Sequence, residues 1–138
     1  MTKLNTAHAE LIARLEAVDQ VGAVVDPVEA RNPGVQPEMG HIVVVWALEA
    51  TTRSDGGAII WTQPYGIDIA IDWEVAEDMT AYLNDFRLKV ASALLRSWSA
   101  GVVQKAELST VSIAYPDRGN GKAVVSCELT LTVREKLS

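Results

Sequence analysis

The sequence has one cysteine, one phenylalanine, two histidines, and no apolar run longer than the seven residues Ile42 to Leu48. Each scarcity excludes something. A single Cys127 rules out an internal disulfide, and its place on the inward parity of a strand makes it a small buried hydrophobe before a reactive thiol. Seven apolar residues fall far short of the ~20 that cross a bilayer, so no membrane partner is expected. Basic residues are outnumbered, 12 against 18 acidic, for a formal net charge of −6. That balance argues against nucleic-acid binding, which rests on Lys and Arg neutralising phosphates. His8 and His41 are too few for a histidine metal centre, and His8, one turn before Leu11 and Ile12, reads as a half-buried packing residue. The N-terminal stretch carries charges throughout and has no apolar core or small-residue cleavage site, so the expected compartment is the cytoplasm.

What is present is an ordinary folding balance, 49% apolar and 22% charged over 138 residues, enough for one domain with one core. The organising stretch is Ala76 to Trp98. Met79, Leu83, Phe86, Val90 and Leu94 recur at three- and four-residue steps and form one apolar stripe, widened by Tyr82, Ala91 and Trp98. Asp85, Lys89, Ser92 and Arg96 take the opposite side. Acidic residues gather at the start of this helix and basic ones towards its end, with Gly101 placed to stop it.

Taken in order, the chain opens with an amphipathic helix over residues 5 to 20, capped by Asn5 or Thr6, with Leu4, Leu11, Ile12, Leu15 and Val18 on its apolar face and Gly22 ending it. A short strand from Ala23 to Asp26 leads to a surface loop, Pro27 to Gly40, with three prolines, two glycines and the charged residues Glu29, Arg31 and Glu38. His41 to Ala50 then has no polar face: Ile42, Val44, Trp46 and Leu48 point one way, Val43, Val45 and Ala47 the other. Both faces need cover, from a neighbouring subunit or from an internal segment. TTRSDGG, residues 51 to 57, reads as a hairpin loop with Arg53 and Asp55 at its tip. The return strand, Ala58 to Val75, is expected to bend near Pro64 and Gly66 and alternates from Ile67 onward. Glu107 to Tyr115 and Ala123 to Arg134 make a second hairpin across PDRGNG. The expected fold is a single α+β domain over residues 1–138, an antiparallel sheet with two main helices on one face.

Candidate chemistry is thin. Asp68, Asp72 and Glu74 share one strand face, but Asp68 and Asp72 lie about 13 Å apart at ~3.3 Å per residue, too far to hold one ion. GNGK, residues 119 to 122, fails as a phosphate loop, since Pro116 stands where the first glycine belongs and Ala123 where a hydroxyl would hold magnesium. No catalytic, cofactor or metal residue is therefore assigned, and no enzyme is expected. Of the four tryptophans, Trp46, Trp73 and Trp98 have core-like positions, whereas Trp61, beside Thr62 and Gln63, is a candidate subunit contact.

The opening helix HAELIARLEAV, the AVVDP strand, the Pro-rich loop into HIVVVWALEAT, the charged tip, the long alternating strand and AYLNDFRLKVASALL together resemble the phage tail terminator family, typified by the minor tail protein U of lambda-like phages. The likeness covers about residues 5 to 134 and is one of element order. It implies a structural virion protein: a homohexameric ring on the end of the tail tube that stops tube polymerisation and presents a surface to the head connector. The implied partners are other copies of the chain, the tube protein and the connector, with assembly in the host cytoplasm. From exposure, Arg31, Arg53, Asp55, Trp61, Arg118 and Lys122 are candidate contacts with the tube or a neighbouring subunit. Asp68, Asp72 and Glu74 are candidates for the ring lumen, where negative charge lets DNA pass without sticking. Two alternatives stand beside this reading: a head-closure component of the neck, or a small dimeric α+β ligand-binding domain or enzyme.

Overall fold

A computed structural model describes residues 2–25, 40–71, 79–99, 101–114 and 123–137, with the Met79 side chain outside the description. Two helices lie on one face of a seven-stranded sheet: α1 (Lys3–Glu16), β1 (Val21–Val25), β2 (His41–Ala47), β3 (Thr51–Asp55), β4 (Ala58–Ala70), α2 (Met79–Leu95), β5 (Val103–Leu108), β6 (Ser112–Ala114) and β7 (Val124–Lys136). The α+β class and the shared helix face are as expected. The sheet is mixed, because β1 runs parallel to β2, while every other pair is antiparallel.

Two long strands, β4 and β7, form the spine, paired without a break from Ala58 against Lys136 to Ala70 against Val124. On one side of this spine β4 pairs with β2 over its second half and with β3 over its first. On the other, β7 pairs with β5 and then with the short β6. The sheet therefore has a half bounded by β1 and β6 and a half bounded by β3 and β5.

The inward parity of the strands carries Val43, Val45, Tyr65, Ile67, Ile69, Val125, Cys127, Leu129, Leu131 and Val133 into one core with Leu11, Leu15, Leu83, Phe86, Val90 and Leu94 of the helices. Trp61 packs against its edge, half-buried.

Several boundaries differ from the sequence reading, each for a local reason. Thr2 caps α1, its hydroxyl accepting from Asn5 N–H at 3.1 Å, so the helix begins before Asn5. Gly22 does not end it. The chain turns at Gln20, which takes the left-handed conformation at φ 73°, and Gly22 already lies in β1. Gly40 crosses close by: at φ 99°, a Cβ there would stand 2.8 Å from the backbone of Gly22. The helix α2 stops at Leu95, six residues before Gly101. TTRSD is not a loop but the edge strand β3, and the turn is the dipeptide Gly56-Gly57, both at positive φ. The expected strand from Glu107 is split into β5 and β6, where Ser109 bridges back to Glu128. His8 is exposed, not half-buried, although its ring stacks on Tyr65 at 5.7 Å.

The strand β4 runs through Pro64 in unbroken register with β7, and the reason is specific to Pro64. Its backbone faces the gap between β2 and β3, where its carbonyl accepts from Leu48 N–H and no N–H is available to return the bond to Leu48 O. The buried Gln63 supplies it: Nε2 donates to Leu48 O at 2.8 Å and to Pro64 O at 2.7 Å.

A candidate interaction surface

The strand face turned away from the helices is divided in character. Under the β1 and β2 half lie Ile42, Val44 and Trp46, half-buried, running on to Leu48, which is 42% exposed. Gly66 lies opposite Trp46 on β4, next to the indole, and a Cβ at Gly66 would touch Trp46 and Leu48 side-chain atoms at an ordinary contact distance of 3.9 Å. Trp46 is thus outside the core position expected for it. The sequence pattern of β2 leaves both parities apolar, and the side on which the helices pack decides which one is core. That side takes His41, Val43 and Val45.

The rest of the outer face is polar. Asp68 sits there, accepting from Ser126 Oγ at 2.6 Å across the β4 and β7 pair. Glu128, Thr130 and Thr132 follow along β7, and Lys105 and Glu107 stand on β5, ion-paired at 2.6 Å. At the far end, Ile60 is 4% exposed although it faces away from the helices, because its cross-strand neighbours are Arg53 and Arg134, whose aliphatic stems lie on either side of it. Arg134 Nε donates to Asp55 Oδ2 at 3.2 Å.

Arg53 and Asp55 therefore share an edge strand and one face, and Asp55 is held by a partner instead of standing on a loose tip. Asp68 lies ten residues along β4 from the Ala58 rung that holds Asp55, so the candidate contact residues of β3 and the candidate lumen residue of β4 stand apart on the outer face. Trp61 is on the helix face opposite Thr52 and Val133. Arg31, Asp72, Trp73, Glu74, Arg118 and Lys122, with the loop from 27 to 39 and the 116 to 121 turn, lie outside the described residues.

On the helix side stand two linking clusters that no periodicity in the sequence marks. His41 is fully buried, edge-on to Phe86 at 4.9 Å between ring centres. The Tyr82 hydroxyl donates to Gln20 Oε1 and accepts from His41 Nε2, tying α2 to β2 and to the turn after α1. Arg14 of α1 donates to the carbonyls of Ala93, Arg96 and Ser97 at 2.6 to 3.0 Å and lies 4.1 Å over the Trp98 ring, with Glu10 at 3.6 Å. It closes the end of α2, whose last carbonyls have no helical donor. Between the helices a shallow groove of about 670 Å³ is lined by Arg14, Asp19, Leu88, Lys89, Ser92 and Arg96.

Electrostatics perturb two groups among the described residues, the Tyr65 hydroxyl, which burial pushes up, and the Cys127 thiol. Burial first, and the Asp68 charge second, push the Cys127 thiol up to about 11, which holds it protonated. Among the described residues no three His, Cys, Asp or Glu side chains come together as a metal site, and no helix is long and apolar enough to cross a membrane. The chain matches no protein-family model, and no curated protein matches it.

Proposed function

We propose that this chain is a structural subunit of a phage tail that assembles into a closed ring, caps the tail tube, halts its polymerisation and offers its other surface to the head connector. The observation that carries the reading is the apolar outer strip of β2, Ile42, Val44, Trp46 and Leu48, on a sheet whose described helices both lie on the opposite face. A strip of that kind, bordered by the polar residues of β4 and β7, suits a surface that another protein body covers. Three contacts on the same outer face tie charged side chains to their neighbours, Lys105 to Glu107, Arg134 to Asp55 and Asp68 to Ser126, as suits a surface made for contacts.

Native mass spectrometry of the full chain across concentration, with negative-stain images of the same samples, tests the reading. The expected result is a six-membered ring with a central hole. A species that remains a dimer or a monomer at every concentration overturns it.

A further inference from the structure

In the half of the sheet ordered β3, β4, β7, β5, every neighbouring pair is antiparallel and, among the described residues, the two outer strands are edges. Along an antiparallel pair, residues alternate between turning both backbone groups to the neighbour and turning both away. The phase is readable at both edges. The two-residue turn at Gly56 and Gly57 makes Asp55 and Ala58 a bonded pair, so Arg53 also spends its backbone groups on β4 while Thr52 and Ser54 turn theirs outward. On the other edge, Ser109 N–H bonds to Glu128 O, and in that register Glu107 and Lys105 bond to Thr130 and Thr132 of β7. Ala106 and Leu108 are then the residues that face out.

We propose that β5 of one copy of this chain pairs antiparallel with β3 of the next, Ser54 against Ala106 and Thr52 against Leu108. Four outward-turned residues meet in matching phase, so the join makes backbone hydrogen bonds without a bulge. The same register sets Arg53 opposite Glu107 and Asp55 opposite Lys105. All four side chains lie on the outer sheet face, since Arg53 and Asp55 share it with Ile60 and Ala58, and Lys105 and Glu107 with Thr132 and Thr130. They would occupy the rungs between the bonded pairs, where side chains approach most closely, with opposite charges facing. Alone, these charges shield two open edges from indiscriminate pairing; together, they specify one register. Their present in-chain partners are Glu107 for Lys105 and Arg134 for Asp55, pairs about half exposed and weakly held.

The contact uses different surfaces on its two sides, so it propagates head to tail and closes as a ring or runs on as a filament. It rests on the ring reading only for closure, and it leaves the Ile42 to Leu48 strip free for the tube. Within one chain, β3 and β5 are three strand spacings of ~4.8 Å apart, and the Arg53 rung meets β7 at Arg134, four residues of ~3.3 Å from the Thr130 rung of Glu107, so the two charges stand about 20 Å apart and cannot compensate each other internally.

The test is charge exchange in the full chain, read by native mass spectrometry and sedimentation. Arg53→Glu alone and Glu107→Arg alone are each expected to weaken self-association by about tenfold per contact. The double variant, and an equal mixture of the two single variants, are expected to recover association to within about threefold of the unsubstituted chain. Thermal melts of each variant check that the fold survives; a single variant that fails to fold is replaced by the Asp55→Lys with Lys105→Asp exchange, judged in the same way. Rings that form equally well in every variant overturn the edge contact and leave the ring reading standing. Charge-dependent chains that never close overturn the ring reading and support the edge contact. An unsubstituted chain that is monomeric at every concentration overturns both.

Discussion

At the scale of single residues, Gln63 is the clearest case of a side chain doing backbone work. Its amide gives Leu48 O the bond that Pro64 cannot, in the gap where β2 has ended and β3 has not begun. Gln63→Leu keeps the volume and removes the donor, leaving a carbonyl short of a partner in a buried place. We expect it to cost about 1–3 kcal/mol in urea unfolding, and Gln63→Glu no less, since a carboxylate there faces two carbonyl oxygens. Cys127 makes a second residue-level prediction. With its thiol pushed up to about 11 by burial and by Asp68, the native chain holds a proton that the unfolded chain releases near 9. This contribution to stability is fully present below pH 9 and is lost as the pH rises towards 11. A thiol reagent at pH 8 should label Cys127 only on unfolding; rapid labelling of the native protein would contradict the burial argument.

At the scale of elements, α1 and α2 are joined by Arg14 more specifically than by their apolar contacts. Arg14→Ala strips three carbonyls at the end of α2 of their donor and uncovers Trp98, and should lower stability by about 1–3 kcal/mol, with Arg14→Lys recovering only part. Urea titration followed by circular dichroism measures both. This is also the scale at which the sequence was most and least legible. The stripe Leu83, Phe86, Val90 and Leu94 and the inward run Val125 to Val133 are periodic because burial imposes their period, and they could be read directly. The strand β3 could not, because all five of its residues are exposed and its existence rests on pairing with β4, which leaves no apolar alternation. The parallel direction of β1 is equally silent, since five residues carry no mark of orientation. Arg14 reads as one more polar residue on a helix, and only the arrival of a second helix end gives it a task.

At the scale of the whole molecule, the layout of the described residues is one-sided: two helices on one sheet face, an apolar strip and a charged field on the other, and outer edges at β3 and β5. Of the surface residues singled out from sequence, Arg53 and Asp55 came to lie together because one short strand carries both, and Asp68 joined Ser126 because β4 and β7 are in register. No periodicity relates β3 to β5, so the match between their charges emerges only once the sheet order is known.

The indole of Trp46, next to Gly66 and half open to solvent, makes the molecule its own fluorimeter. A partner seated on that strip displaces water from one tryptophan of four while the ring beside Arg14 keeps its surroundings. Emission should therefore move to shorter wavelength on adding tube protein, and the shift should vanish in Trp46→Phe. One half-open indole on β2 thus gives an optical report of when, and how fast, the outer face is covered.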